Sequence, residues 1–571
     1  MFREWKIAPN ISNAKDGKKD YNPIILRLLF NRGVIKAGEI KDFLEPDLEH
    51  GLFDPFMFKK MPAAVDLIIK HIKERNKIIV YGDYDADGVT ATVVMYEVLD
   101  SLKANVDIYI PERVSEGYGL NVEAVKKIQK LGVKLIITVD NGIRNQEEIE
   151  LAKDLGMDAI ITDHHLPPED GSLPDCLIIS SQLADSGYPE KNLAGVGVAF
   201  KLASALISQA KLEKNQKDLL VKRLFDLVAI GTVADCVSLL GENRLLVKKG
   251  LIALNSTKRL GLKKLIEIAQ IKKNDNLDSW NIGFQIGPRI NAAGRLAHAN
   301  TAFQLLITKN LTEATHLAKG LNDRNIERQE ITVEIMSKVE KEVNGKEEVI
   351  IGVCKKDKAW NEGVVGLVAG KICEKYYRPT LVITKSGKEY KGSGRSIPEL
   401  NIIKVIEKNK DILERYGGHA AACGFSLKED KLEEFIDRIK KIIHSQLGHL
   451  ELKREIMIDS ELKLTDINKK LISQIDKLRP FGQGNERPKF VSLRMKIIDI
   501  AQVGNTGQHI KLRIKQDNSQ VFSAIGFGQA EKWQNLRVDD FIDMVYHLDV
   551  NEFNGRSDIQ FKIIDIKNKK K

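Results

Sequence analysis

The chain has 571 residues, too many for one ordinary core, so three or four domains are expected. Hydrophobic residues at 43% and charged residues at 29% are those of a globular protein and exclude a disordered chain, while a net charge of +10 leans towards a polyanionic partner such as nucleic acid. The five cysteines are odd in number, scattered and without a CxxC pair, which excludes a disulfide framework or a cysteine zinc site and suggests reduced thiols.

The opening "MFREWKIAPN" lacks an apolar signal core, and no later stretch approaches an uncharged membrane span, so a soluble, cytoplasmic protein is expected. Residues 1–60 read as a mixed N-terminal extension, with "FLEPDLEHGLFDPFMF" as a loop carrying apolar anchors. From Lys77 onwards short β-rich runs alternate with helical ones: "KIIVYGD", "TATVVMYEVLDSL", "VDIYIP", "LNVEAVKKIQKLG", "KLIITVD", "NQEEIELAKDLG", "DAIITDHH". Continuous apolar strands joined by helices must be covered on both faces, which predicts a doubly wound, mostly parallel sheet. A helical region follows at about residues 195–269, then "GPRINAAGRL", then a long charged helical stretch near residues 312–343 with the length of an interdomain connector. A second α/β unit runs from "EEVIIGVC" to about Leu447 and includes the glycine-rich "RYGGHAAACGF". After "RPFGQGNERP" come about five short strands separated by turn residues, which suggest a small β-barrel of the OB type. The resulting domain plan is 1–60, 61–305, 306–345, 346–450 and 451–571.

The segment "YGDYDADG" matches the opening of an EF-hand loop, but the twelfth position counted from Asp83 is Val94, and the segment leaves a strand rather than a helix. A second pattern accounts for the acids. Asp83, Asp85 and Asp87 end one apolar run, Asp140 ends "LIITVD", and Asp163-His164-His165 end "AIITDHH". In a parallel sheet all carboxyl ends share one edge, where ligand crevices form, so these groups are expected to converge, with Asp235 of "GTVADCV" as a further candidate. Carboxylates packed together repel by roughly 4 kcal/mol per pair at 4 Å and an effective dielectric near 20. Two Mg²⁺ or Mn²⁺ ions would remove that penalty and support phosphoester hydrolysis without a covalent nucleophile. Taken singly, a DxD at a strand end is an ordinary helix cap and a His pair an ordinary surface feature. Because successive side chains of an extended segment alternate, one of His164 and His165 is expected to face the metals and the other to contact phosphate or support the first.

The motifs "YGDYDADGVTA", "PERVSEGYGLN", "ITVDNG", "TDHH", "LAGVGVAFKLA", "GTVADCVSL", "GPRINAAGRL", "GSGRS", "GGHAAACGF" and "LRPFGQGNERP" occur in the order of the DHH/DHHA1 phosphoesterase superfamily. The chain resembles in particular the superfamily's bacterial exonucleases that degrade single-stranded DNA from 5′ to 3′. That resemblance implies a mostly parallel DHH domain, a long connecting helix, an α/β DHHA1 domain and a C-terminal OB-like barrel that extends the strand path. It implies metal ligands at Asp83, Asp85, Asp87, Asp140, His164 and Asp235, and catalytic roles for Asp163, His164 and His165. The superfamily's DxD aligns on Asp85 and Asp87. It further implies recombinational and mismatch repair, with single-strand-binding protein and a RecQ-type helicase as partners. Two positions depart from the pattern: Asn361 replaces a usual His, and Ser180-Ser181 replace Asn-Pro.

For the terminal phosphate of a strand, "GSGRS" offers Ser393, Arg395 and Ser396 on a glycine-flexed backbone, with Arg113, Arg289, Arg295 and His419 as further candidates. Arg289 could equally order a connecting loop. In the barrel, Phe522, Phe527, Trp533 and Phe553 could stack bases or fill a small core. A related phosphodiesterase acting on short oligoribonucleotides or cyclic dinucleotides, and a catalytically dead DHH scaffold, are the competing readings. The connector and barrel speak against the first, and the retained acids against the second.

Overall fold

Apolar runs with β-branched residues form the framework of a computed structural model, which describes residues 4–9, 21–47, 50–113, 115–271, 276–345, 347–354, 359–553 and 556–569. The chain divides into two compact units, Phe53–Val237 with Gly241–Lys453, and Met1–Leu52 with Ser238–Leu240 and Arg454–Lys571. Among the described residues no helix is long and apolar enough to cross a membrane.

In the larger unit the first sheet is five-stranded and entirely parallel, in the order Asn105–Tyr109, Lys77–Gly82, Val133–Val139, Asp158–Thr162, Leu177–Ile179. The central strands are buried on both faces, as "IIVYG" and "LIITV" require. The last strand, within "CLIIS", is only three residues long and lies at the sheet's edge. The helices Gly195–Gln209, Lys214–Ala234 and Gly241–Asn255 follow, and "GPRINAAGRL" is itself a helix, Gly287–Leu296, entered through a π-helical turn at Ile282–Ile286. The connecting helix runs from Leu311 to Glu340, 30 residues, capped by Asn310, whose side chain accepts from Glu313 N. It buries Ala314, Ala318 and Leu321 early and Ile335 and Val339 late, so its apolar stripe serves both flanking domains. The second sheet has the order Arg415–His419, Ala422–Lys428, Glu389–Arg395, Thr380–Ser386, Ile350–Val353 and is mixed: only the last two strands pair in parallel.

In the smaller unit, Phe490–Val503, His509–Lys515, Phe522–Gly526, Arg556–Lys569 and Phe541–Phe553 pair in that order, and the first and last pair again to close a five-stranded barrel. Phe522 is buried in its core, and Trp533 is half-buried with its indole N–H on Gln529. Phe527 stays exposed against His509, while the side chain of Phe553 lies outside the described residues. Two helices from the beginning of the chain, Pro23–Phe30 and Ala37–Leu44, put Leu28, Leu29 and Phe43 into the same core as Phe490, Leu512 and Phe561.

Candidate metal centre and anion pocket

The parallel sheet delivers the acids to one rim. Asp83 follows the strand Lys77–Gly82, and Asp85 caps the helix Ala86–Ser101, its carboxylate accepting from Asp87 N at 2.9 Å and Gly88 N at 3.1 Å. Asp140 leaves the strand Val133–Val139 with φ +64°, a left-handed conformation that costs energy in a non-glycine residue and turns its carboxylate towards its neighbours. Asp235 ends the helix Lys214–Ala234. Among the described residues three overlapping sets have donor atoms within 4.8 Å of one another: Asp83, Asp85 and Asp140; Asp87, His164 and Asp235; and Asp140, His164 and His165. The chain leaves extended structure at Thr162, so strand alternation does not govern the His pair, and both rings offer a nitrogen to the same neighbourhood.

The geometry leaves room where a cation would sit. Asp83 Oδ1, Asp140 Oδ1 and His164 Nε2 are buried without a hydrogen-bond partner. His164 Nε2 lies 3.1 Å from Asp140, 3.6 Å from Asp235 and 4.0 Å from Asp87. A Cβ on Gly195 would come within 2.3 Å of Asp140 Oδ1, and one on Gly231 within 2.6 Å of Asp87 Oδ1. Burial first, then the neighbouring carboxylates, raises the acids: Asp83 and Asp140 well above the usual range, Asp87 to about 7 and Asp235 to about 9. Burial and the charge of His165 push His164 down to about 4, leaving a neutral imidazole suited to ligation. Oxygen-rich donors with one or two imidazoles fit Mg²⁺ or Mn²⁺.

Asp163 is used differently. One oxygen accepts from His164 N (2.7 Å), His165 N (3.1 Å) and His165 Nδ1 (2.8 Å), and the other from Ile143 N at 3.0 Å. Burial would raise its pKa, but the hydrogen bond and charge of His165 outweigh burial and keep it low. His165, which burial would lower, is raised by the same partnership. Tyr118, in the "EGYG" turn, donates to Asp140 O at 3.0 Å and lies as close to His165 Nδ1.

Beside this cluster a cleft of about 410 Å³ opens between the two sheets' domains, lined by Arg113, Arg295, Ser393, Arg395, Arg415 and Tyr416 among others. Arg113 lies over the Tyr84 ring, 4.9 Å from its centroid, and Arg295 donates to Gly363 O at 2.9 Å. Burial, then the charges of Arg113 and Arg328, lower Arg295 to about 9, so an anion here would relieve crowded cations. Three of the sequence candidates lie apart from this lining. Ser396 spends its hydroxyl on Leu400 O, Arg289 is held by Gln285 O and Asn322, and His419 lies on the exposed strand Arg415–His419. Asn361 caps the helix Glu362–Tyr376 through Gly363 N, and Ser181 donates to Lys191 O, so both departures from the pattern have local structural uses. A larger cleft of about 570 Å³ lies elsewhere; Glu97 in its lining is already held by Arg223 and Arg259.

Residues 77–232 match the DHH family N-terminal domain, residues 346–445 the DHHA1 domain and residues 458–565 the RecJ OB domain. Along almost the whole length, the chain is 33% identical to the single-stranded-DNA-specific exonuclease RecJ of Escherichia coli, covering 97% of this chain and 98% of the relative. The chain belongs to the RecJ family. RecJ of Bacillus subtilis is 38% identical, over 95% of this chain and 68% of the relative. The crystal structure of RecJ from Thermus thermophilus in complex with Mn²⁺ superposes with a TM-score of 0.84 at 27% identity, over 100% of this chain and 80% of that one. A Mg²⁺ complex of the same protein gives 0.77 at 25% identity, over 100% and 79%. The family's solved structures thus hold the cations that the donor set here fits.

Proposed function

We propose that the chain is a metal-dependent exonuclease that degrades single-stranded DNA from 5′ to 3′ and releases 5′-mononucleotides. One juxtaposition carries the reading: a carboxylate–imidazole cluster with orphaned donors adjoins an arginine-lined anion cleft within one unit. A 5′-terminal phosphate held by Arg113, Arg295, Ser393 and Arg395 puts the next phosphodiester at the cluster. Asp83, Asp85, Asp87, Asp140, His164 and Asp235 would hold two divalent ions. When bound, these supply Lewis-acid polarisation of the phosphate and activation of the attacking water. Asp163 fixes the ring of His165 and favours its charged form, so His165 can hold a proton beside the departing 3′ oxygen. Cleavage on that side leaves a new 5′ phosphate on the strand, which regenerates the end the cleft recognises. His419 and Arg289 are assigned to substrate contacts outside the cleft.

The barrel, matched to the family's OB domain, supports a role in holding the strand. Family membership supports a cytoplasmic setting in recombinational and mismatch repair, with single-strand-binding protein and a RecQ-type helicase as partners. The test uses 5′-labelled and 3′-labelled single strands with Mn²⁺, for wild type and Asp140→Ala, beside duplex and dinucleotide substrates. The 5′ label should be released first, from single strands only, and the variant should be inactive. Release of the 3′ label first, or full activity of Asp140→Ala, would overturn the reading.

A further inference from the structure

Residues 235–240 join the helix Lys214–Ala234 to the helix Gly241–Asn255, and the chain changes unit within them. Asp235, Cys236 and Val237 belong with the catalytic sheet, Ser238–Leu240 with the barrel, and Gly241 again with the catalytic sheet. A metal ligand thus stands three residues from a strap that the barrel's unit holds.

The hold is a built seat. Leu239 is 1% exposed and donates its amide to Gln483 O at 2.8 Å, while Leu240 packs against the barrel's core. Two glycines of "RPFGQGNERP" let the strap approach closely. An added Cβ at Gly482 would fall 2.5 Å from Leu239 Cδ1, and one at Gly484, which has φ +72°, 2.5 Å from Ser238 Oγ. The turn that carries these glycines is tied down on its own side. Gly482 and Asn485 exchange backbone bonds of 2.9 Å and 3.1 Å. The buried Asn485 amide donates to Leu478 O and Pro480 O, and its oxygen accepts from Arg32 Nε at 2.6 Å.

In the catalytic unit both ends of the segment are pinned. Glu242 N, just past the strap, donates to Glu190 Oε2 at 3.1 Å. At the other end Cys236 N closes the helix on Val233 O at 3.3 Å with φ +61°, a left-handed cap position that helices ordinarily give to glycine. Asp235 lies directly before it. The carboxylates of Asp85 and Asp87 are fixed by backbone amides, but among the described residues that of Asp235 accepts no hydrogen bond, and His164 Nε2 lies 3.6 Å away. Its place in the cluster is therefore set by its backbone. Three residues of chain span roughly 10 Å at most, so a strap seated at Ser238 leaves Asp235 little slack.

We propose that Leu239 is a positioning residue: seated on the Gly482–Asn485 turn, it holds Asp235 at the metal centre, so that tight binding of the cation taken by Asp87, His164 and Asp235 depends on the barrel's unit. The set Asp83, Asp85 and Asp140 does not share that dependence. The inference rests on the reading of Asp235 as a metal ligand. By reciprocity, binding of that cation tightens the seat.

The test is Mn²⁺ binding by the full chain without DNA, followed by titration calorimetry, for wild type and for a variant with a Gly-Ser pair inserted between Val237 and Ser238. The insertion leaves the seat and the catalytic unit as they are and adds about 7 Å of slack. One Mn²⁺ should bind about tenfold or more weakly than in wild type, the other as before, with the thermal transition of the metal-free protein unchanged. Leu239→Ala should weaken the same ion, and Leu239→Met, which nearly keeps the volume, should restore it. Hydrogen exchange supplies the reciprocal readout: Mn²⁺ should slow exchange in the peptide containing Leu239 in wild type and not in the insertion variant. An insertion variant that binds both ions as wild type does, an equal loss of both ions, or exchange at Leu239 indifferent to Mn²⁺ would overturn the proposal. Should Leu239→Ala fail to fold, the insertion decides alone. Failure of the exonuclease reading appears separately, as wild type that binds no Mn²⁺ or that binds it and releases no nucleotide from a single strand.

Discussion

Asp163 illustrates how a fully satisfied carboxylate can matter as much as an unsatisfied one. Its oxygens are committed to two backbone amides of the His pair, to Ile143 N and to His165 Nδ1, so its work is to fix a ring. Asp163→Asn keeps the shape but cannot favour a charged His165, and kcat on single strands should fall about a hundredfold or more with KM nearly unchanged. Gly195 makes a steric case: an added Cβ would lie 2.3 Å from Asp140 Oδ1. Gly195→Ala should therefore fold but show a much smaller rise in Tm on addition of MnCl₂ than wild type, measured by thermal denaturation. The convergence of the acids was legible because each ends an apolar run, and a parallel sheet has one carboxyl edge. Tyr118, Arg328, Arg415 and Tyr416 were not, because each owes its place to chain segments far away in sequence, and no local pattern marks the last three. Tyr118 lay within a motif quoted for Arg113, and its flanking glycines, both at positive φ, were the one available signal.

At the level of elements, the helix Gly195–Gln209 anchors the centre. Its first two amides donate to Asp87, at 2.7 Å and 2.9 Å, so the carboxylate meets the positive end of a helix as well as its fellow acids. Further along, Lys201 is buried and bonded to Glu242 of the helix Gly241–Asn255 at 2.5 Å and to Phe53 O at 2.8 Å. Glu242 also accepts from Tyr188 Oη and Phe53 N. Lys201→Met would strand that buried carboxylate and should cost about 3–5 kcal/mol, read from urea denaturation. The alternation of strands and helices in this domain could be read from apolar runs alone. The strand Leu177–Ile179 could not, since three residues at a sheet edge carry too little pattern, and the π-helical turn has no sequence period of its own.

For the molecule as a whole, the order of domains followed from composition shifts, whereas the packing of the first helices into the barrel's core depends on contacts across more than four hundred residues of chain. That barrel carries its own pH response. Burial first, then Arg487, Lys489 and Lys562, hold His547 down to about 4 from an ordinary 6.5, against the opposing bond to Pro488 O. The unfolded chain takes up a proton as pH falls through about 6.5, while the folded barrel does not until about 4, so stability is intact above the upper value and drains away below it. His547→Gln should flatten the fall in urea midpoint between pH 7.5 and pH 5 relative to wild type. The anion cleft holds a different consequence. Its walls come from two domains that meet where Gly363 lies against the Arg295 carbonyl, an added Cβ falling 2.4 Å from that oxygen. On the proposed reading, in which the strand's end is anchored in this cleft, the separation between anchor and metal cluster would act as a caliper set by tertiary packing, and the length of the released fragment would be read from it. Widening the jaw with Gly363→Ala should shift the products from single nucleotides towards dinucleotides, visible by chromatography of the digest.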